Sequence, residues 1–129
     1  MTDSAPTTIL VLVNDIFFYT KVRDALKPQG YELDRVRSID EVQPKMSTAK
    51  FQAAIIDMND LKVDPFQMLE LIQQGSPGHP IPVLAFANHE EVEAWRRAKE
   101  LGVTKIVSRN EFSARTKDLV SEVMTAVLS

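Results

Sequence analysis

Two aspartates in this chain follow strongly apolar runs, and acids in such positions are candidates for chemistry. Asp57 ends the run Phe-Gln-Ala-Ala-Ile-Ile-Asp at 51–57, and Asp15 follows the run 9–13, with Asn14 between. Two carboxylates that are brought together repel, and Mg²⁺ relieves that repulsion with oxygen ligands. Such a cation could also steady a phosphoryl group while a carboxylate attacks it. The alternative is that both acids are solvated loop residues.

A parallel sheet would bring these acids to one edge. A short continuous apolar run is typical of a strand covered on both faces, and its length favours a strand over a buried helix. In a flavodoxin-like strand order the first and third strands are neighbours, and ligands bind beyond their carboxyl ends. The sequence therefore predicts that Asp15 and Asp57 approach each other there.

Strand and helix patterns alternate five times along the chain. Polar residues and Pro6 in 1–7 indicate a loose arm, and 8–129 are predicted to form one domain. Periodicity, caps and stop residues predict an α/β fold, a three-layer sandwich with a five-stranded parallel sheet in the order 2-1-3-4-5 and five helices. The predicted strands are 9–13, 31–36, 51–57, 81–86 and 103–107, and the predicted helices are 16–27, 38–47, 64–75, 88–101 and 111–128.

Composition excludes several classes of function. The chain has 129 residues, 44% of them hydrophobic and 26% charged, which suits one soluble domain. A net charge of −3 gives no reason to expect nucleic-acid binding, and the absence of cysteine excludes disulfides and thiolate metal sites. The N-terminus lacks a secretory pattern, and no apolar run approaches the roughly 20 residues of a membrane span. We therefore expect a cytoplasmic protein.

Nearly the whole chain, from about 8 to 128, resembles the receiver domain of two-component response regulators. The matching features are the acidic end of the first strand, Asp57 with Asn59 two residues later, and Gly102 before the fifth strand. In that family the third-strand aspartate accepts a phosphoryl group from a histidine kinase, beside Mg²⁺. The resemblance implies that Asp57 is the phosphoacceptor. It also implies that Asp15, Asp57 and the backbone carbonyl of Asn59 hold the metal.

Four positions depart from that family's pattern. Asn14 replaces an acid and weakens the metal site, because ligand charge helps to set affinity. Ala87 stands where the family has a hydroxyl that bonds the phosphoryl group. The adjacent Asn88 could substitute, but it is better explained as the cap of the fourth helix. Arg109, next to the phosphate site, replaces a lysine that precedes proline, so we expect a trans bond to the next residue. Ile106 replaces the switch aromatic.

A partner surface is expected on the fourth helix, fifth strand and fifth helix, which is the family's usual interaction face. Trp95 and Ile106 lie there, and tryptophan is enriched at interface hot spots. Simple packing is the alternative for both. This face would also allow a homodimer. The expected partner is a protein, either a histidine kinase or a downstream regulator, and Phe17 is a further candidate beside the site mouth.

The leading hypothesis is a non-enzymatic, receiver-like signalling domain that acts through protein–protein interaction and has lost the standard phospho-switch. One alternative is a receiver that is phosphorylated on Asp57 and carries an unusual switch. An alternative of another class is a flavin-binding electron carrier on the same fold. That function would need a phosphate loop rich in small polar residues after the first strand, and the sequence 15–19, Asp-Ile-Phe-Phe-Tyr, does not supply one.

Overall fold

The computed structural model describes residues 7–48, 50–75 and 81–128, with side-chain surroundings as far as Thr125. The strands are β1 (Thr7–Leu12), β2 (Tyr31–Arg35), β3 (Ala53–Asp57), β4 (Val83–Ala87) and β5 (Lys105–Ser108). The helices are α1 (Ile16–Leu26), α2 (Val42–Thr48), α3 (Pro65–Gly75), α4 (Val92–Glu100) and α5 (Arg109–Leu128). Short 3₁₀ turns at Lys27–Gln29 and Ile39–Glu41 follow α1 and precede α2.

All five strands form one parallel sheet in the order β2-β1-β3-β4-β5, as the alternating pattern predicts. In the centre, Leu12 of β1 pairs with Ile56 of β3, and Asp57 pairs with Phe86 of β4. Because the strands are parallel, β1, β3, β4 and β5 all end at one edge of the sheet. This carboxyl edge carries the candidate site.

The sheet divides the hydrophobic core in two, which explains the uninterrupted apolar runs. Alternate side chains of β1 point to opposite faces: Leu10 and Leu12 join one core, and Ile9 and Val11 join the other. The first core is covered by α2, α3 and α4, and the second by α1 and α5. Because both faces of β1, β3 and β4 are buried, their sequences do not need to alternate between apolar and polar residues.

Several boundaries differ from the sequence predictions. β1 begins at Thr7, which pairs with Tyr31, so Thr7 belongs to the sheet and not to the predicted arm. β4 and β5 each begin two residues later than predicted. The reason is visible before β5, where the Thr104 hydroxyl accepts a hydrogen bond from the Val83 N–H and takes the place of a ladder partner. The rest of the predicted arm and most of the loop 75–80 lie outside the described residues.

One helix start follows the predicted capping chemistry, and a second follows it only in part. The carboxylate of Asp64 accepts the N–H of Phe66 at 2.9 Å, with Pro65 at the first helical position of α3. Ser38 caps the turn before α2, although Glu41 bonds the N–H of Arg37 and not that of Ser38 as a capping box requires. No helix within the described ranges is long and apolar enough to cross a membrane.

Candidate functional site

Asp57 is the buried acid of the carboxyl edge, as its position after an apolar run predicts. It is the last residue of β3 and is only 3% exposed. One carboxylate oxygen, Oδ1, accepts the N–H of Asn59 at 2.9 Å. The other, Oδ2, accepts Nη2 of Arg109 at 2.9 Å. Both oxygens that could act as a nucleophile therefore already have a protein donor.

Arg109 is held in place by aromatic rings as well as by its charge. Its guanidinium carbon lies 4.8 Å from the ring centroid of Phe18 and 5.1 Å from that of Phe86. Phe86 in turn stacks on Phe112 with 4.4 Å between the centroids. A planar guanidinium suits both a carboxylate and an aromatic face, whereas an ammonium would gain less from these neighbours. The Arg109 side chain is therefore fixed on three sides.

The ionisation of Asp57 reflects two opposing effects. Burial raises its pKa, because a charged carboxylate is costly away from water, and the nearby Asp60 carboxylate acts in the same direction. The Asn59 N–H and the Arg109 guanidinium oppose this rise because they stabilise the charged form. Burial is the larger effect, so the pKa of Asp57 stays above its ordinary value. The ion pair compensates only part of the cost of burying the carboxylate.

The raised pKa predicts how Asp57 affects stability at different pH values. Between the ordinary pKa and the raised pKa, the folded state holds a proton on Asp57 that the unfolded state has released. Stability must therefore decrease as pH rises through this window. We expect wild type to lose stability relative to Asp57→Asn as pH increases from about 4 to 7, because the amide does not titrate. Urea unfolding of both proteins across that range measures the difference.

A constant difference in unfolding free energy between wild type and Asp57→Asn would contradict the raised pKa. Asp40→Asn is the matched control, because Asp40 is an exposed acid outside the site. The same urea series on this variant shows what the loss of one exposed carboxylate does to stability by itself.

Asp60 is the site residue that the sequence analysis missed. Its carboxylate accepts the backbone N–H of Asn14 and the side-chain amide of Asn14, both at 3.1 Å. It also accepts the N–H groups of Lys62 and Val63 at 3.1 and 2.9 Å. Asp60 therefore folds its own loop and joins that loop to the end of β1. An aspartate in the turn-forming segment after a strand was the available signal, but nothing local identifies Asn14 as its partner.

Asn14 and Asp15 both have structural partners. The Asn14 amide donates to Asp60, so it places a hydrogen-bond donor between the ends of β1 and β3. The Asp15 carboxylate is exposed and caps α1 by accepting the N–H groups of Phe17 and Phe18 at 3.0 and 3.2 Å. The capping carboxylate lies where a flavin phosphate would bind at the first helix, which argues against the electron-carrier alternative.

This donor set fits a divalent cation poorly. Asp57 is paired with Arg109, Asp60 accepts hydrogen bonds from the Asn14 amide and from backbone N–H groups, and Asp15 caps the start of α1. A guanidinium beside Asp57 adds a positive charge where a metal ion would need a negative one. Across the part of the chain that the structure describes, no three acidic or histidine side chains cluster as a metal site. The metal roles expected for Asn14, Asp15, Asp57 and Asn59 stay predictions.

Ala87 ends β4 beside the site and offers no hydroxyl. It is fully buried and pairs with Ser108 at the end of β5. The Ser108 hydroxyl also lies at this edge of the sheet, but it accepts the N–H of Glu111 and caps α5. The carboxyl edge therefore keeps the Asp57–Arg109 pair without the hydroxyl group that the receiver pattern places at the end of the fourth strand.

Asn88 is not the cap of α4, and that prediction is wrong. The helix begins at Val92, and the preceding Glu91 makes no side-chain cap. The backbone of Asn88 is committed elsewhere: its N–H donates to the Asn59 side chain at 2.9 Å, and its carbonyl accepts the indole N–H of Trp95 at 3.0 Å. Asn88 therefore lies in the turn before α4, and its backbone joins that turn to Asn59 and to Trp95.

The two residues expected on a partner surface are partly buried. Trp95 packs against the core on the α2–α4 side while its indole N–H bonds the backbone, so its polar atom is already satisfied. Ile106 also packs against that core. The bond from Arg109 to the next residue is trans, since no cis peptide occurs in the described ranges. Packing accounts for Trp95 and Ile106, and their role in a partner surface stays a prediction.

Comparison with solved structures places the fold among receiver domains. The chemotaxis protein CheY4 of Vibrio cholerae is 20% identical, with a TM-score of 0.79 over 92% of this chain and 99% of that one. The receiver domain of the sensor histidine kinase PA1611 from Pseudomonas aeruginosa is 14% identical, with a TM-score of 0.79 over 94% and 99%. That structure has a magnesium ion coordinated in its active site cleft.

The signal receiver domain of an HD domain-containing protein from Pseudomonas fluorescens is 13% identical, with a TM-score of 0.81 over 98% of this chain and 93% of that one. No protein-family model and no curated protein matches the sequence. Likeness at these identities establishes a shared fold, so the predicted flavodoxin-like receiver architecture is confirmed.

Proposed function

We propose that this chain is a receiver-like signalling domain that acts through protein–protein contacts and keeps Asp57 in one fixed state. The observation that carries the proposal is the pairing of both Asp57 oxygens, one with the Asn59 N–H and one with Arg109. In this function Arg109 pairs with the Asp57 carboxylate in every signalling state of the partner. The domain then presents a constant surface to its partner and does not require phosphorylation or catalysis.

The geometry disfavours phosphoryl transfer to Asp57 in three ways. Attack on a phosphoryl donor needs an accessible, electron-rich carboxylate oxygen, and a hydrogen bond already draws on each of them, from the Asn59 N–H on Oδ1 and from Arg109 on Oδ2. The Asp57 side chain is 5% exposed, so a donor must displace Arg109 to reach it. Ala87 then offers no hydroxyl to hold the product. A ligand shifts a conformational equilibrium only through contacts that differ between the two states, and the usual contacts are missing here.

A phosphoryl mimic tests this proposal. Labelled protein is titrated with Mg²⁺ and beryllofluoride, and the backbone amide signals are followed by NMR. We expect no saturable shifts that spread from Asp57 to Trp95, because Arg109 occupies the carboxylate. Asp57→Asn is the matched control, since it has no carboxylate to bind the mimic, and wild type is expected to behave like it. Saturable wild-type shifts that reach Trp95 would instead identify a working phosphoacceptor.

A further inference from the structure

We propose that the partner of this domain presents a basic amphipathic helix, which docks over the carboxyl edge of the sheet. This rests on the proposed interaction function and assigns its surface. The described residues include four exposed large hydrophobic side chains, all just after strands of this edge: Ile16 (54% exposed), Phe17 (84%), Leu61 (100%) and Val92 (71%). We call these four residues the apolar rim. They follow β1, β3 and β4, which are adjacent in the sheet.

Hydrogen bonds between the loops hold the apolar rim together. Asn14, two residues before Ile16, donates twice to Asp60, which immediately precedes Leu61. On the other side, the N–H of Asn88 donates to the side chain of Asn59 and ties the loop after β3 to the segment that leads into α4. The three connections therefore form one tethered surface. Large exposed apolar side chains that gather at one edge of a protein are typical of a protein–protein interaction site.

The charges around the apolar rim select a basic partner. Exposed acids flank it on all three connections: Asp15, Asp64, Glu90 and Glu91, whereas the nearby Glu93 is already paired with Arg96. The exposed Lys62 is a cation on the same loops, whereas Arg109 is neutralised by Asp57. A second copy of this chain would bring acids against acids in a symmetric contact, and anionic lipids or nucleic acids would be repelled. A protein segment that carries lysine or arginine beside apolar residues is complementary.

A helix matches the dimensions of the apolar rim. Neighbouring strands lie about 4.8 Å apart, so β1, β3 and β4 span about 10 Å across the edge. Two turns of an α-helix cover about 11 Å and place apolar side chains at i, i+3, i+4 and i+7 on one face. One such face can therefore contact all three connections at once. This surface is distinct from the α4–β5–α5 face, where Trp95 and Ile106 are already packed against the core.

Two designed peptides test the proposal. Both are helical, about 18 residues long, with the same leucine stripe, and they differ only in carrying lysine or glutamate on the polar face. Fluorescence anisotropy measures their binding to the whole chain, and amide shifts map the contact. We expect the basic peptide to bind, more weakly at high ionic strength, and to shift the segments around Phe17, Leu61 and Val92.

Variants on exposed positions separate the apolar and charged contributions. We expect the double substitution Phe17→Ser and Leu61→Ser to weaken binding of the basic peptide roughly tenfold or more, without unfolding, since both side chains are solvent-exposed. Glu91→Lys is expected to weaken it roughly threefold or more. Glu32→Lys makes the same change of charge on β2, near the opposite edge of the sheet, and is expected to leave binding unchanged.

Three outcomes would overturn the proposal: equal binding of the acidic peptide, absence of binding by both peptides, or shifts around Trp95 and Ile106 that leave the signals of Phe17 and Leu61 unchanged. Binding at the Trp95 face would leave the proposed interaction function standing while removing this surface. The beryllofluoride titration tests the fixed pairing of Asp57 separately, so that proposal and the docking surface can fail independently.

Discussion

Replacing Arg109 by methionine is expected to lower the free energy of unfolding by about 3 kcal/mol near neutral pH, the lower end of the effect of breaking a buried ion pair. The lower end applies because the Arg109 side chain is 30% exposed while Asp57 is only 5% exposed. Methionine keeps a flexible apolar contact with Phe18 and Phe86, so the loss reports mainly on the unpaired carboxylate. Urea unfolding near pH 7.5 provides the measurement.

The pH dependence of this loss identifies its cause. Without the guanidinium, one of the interactions that lowers the pKa of Asp57 is gone, and burial raises the pKa further. The folded variant then takes up a proton that the unfolded chain does not hold, and it regains stability as pH falls through this higher pKa. We therefore expect the deficit of Arg109→Met to shrink by half or more near pH 5.

A double-mutant cycle with Asp57→Asn supplies the control for Arg109→Met. In the Asp57→Asn background no charge is left unpaired, so the further loss from Arg109→Met is expected to be smaller by about 1.5 kcal/mol or more. Equal losses in both backgrounds would show that stacking on Phe18 and Phe86, and not the ion pair, accounts for the contribution of Arg109.

The position of Asp57 could be predicted from the sequence because the residues directly before it determine its environment. A strand buried on both faces leaves an unbroken apolar run, and the first acid after that run must lie at the sheet edge. The same reasoning placed β1, and the Asp-Pro pair at 64–65 placed the start of α3. Arg109 was expected near Asp57 by its position along the chain. Its contacts with the rings of Phe18 and Phe86 join residues far apart in the sequence, so they leave no local pattern.

The residues that sequence reasoning missed or misassigned have hydrogen-bond partners on other segments of the chain. Asp60 and Asn14 are 46 positions apart, and their bonds depend on the shape of two loops. Asparagine often caps helices, yet α4 begins at Val92 and the Asn88 backbone bonds Asn59 and Trp95. In both cases a polar residue had several chemically reasonable partners, and the tertiary arrangement chose among them. Local capping rules cannot make that choice.

Replacing Asn14 by aspartate is expected to make stability depend on Mg²⁺. The side-chain nitrogen of Asn14 lies 3.1 Å from an oxygen of Asp60, so aspartate puts two carboxylates in contact. We expect a loss of about 2 kcal/mol in EDTA, since charges 4 Å apart near a protein surface repel by roughly 4 kcal/mol before side chains relax. Mg²⁺ at ten times its dissociation constant should then restore about 1.4 kcal/mol in this variant.

Wild type, unlike Asn14→Asp, is expected to have a stability that does not depend on Mg²⁺. Wild type already has an amide donor between these strand ends and a guanidinium on Asp57, so we expect its unfolding curve to be the same in Mg²⁺ and in EDTA. Asn14→Ser removes the amide without adding charge, and it is expected to lose stability equally in both solutions. If Mg²⁺ stabilised wild type as much as Asn14→Asp, the neutral amide would not be what sets the metal affinity. The carboxyl edge would then hold a cation despite Arg109, and the fixed pairing of Asp57 would no longer follow from its neighbours.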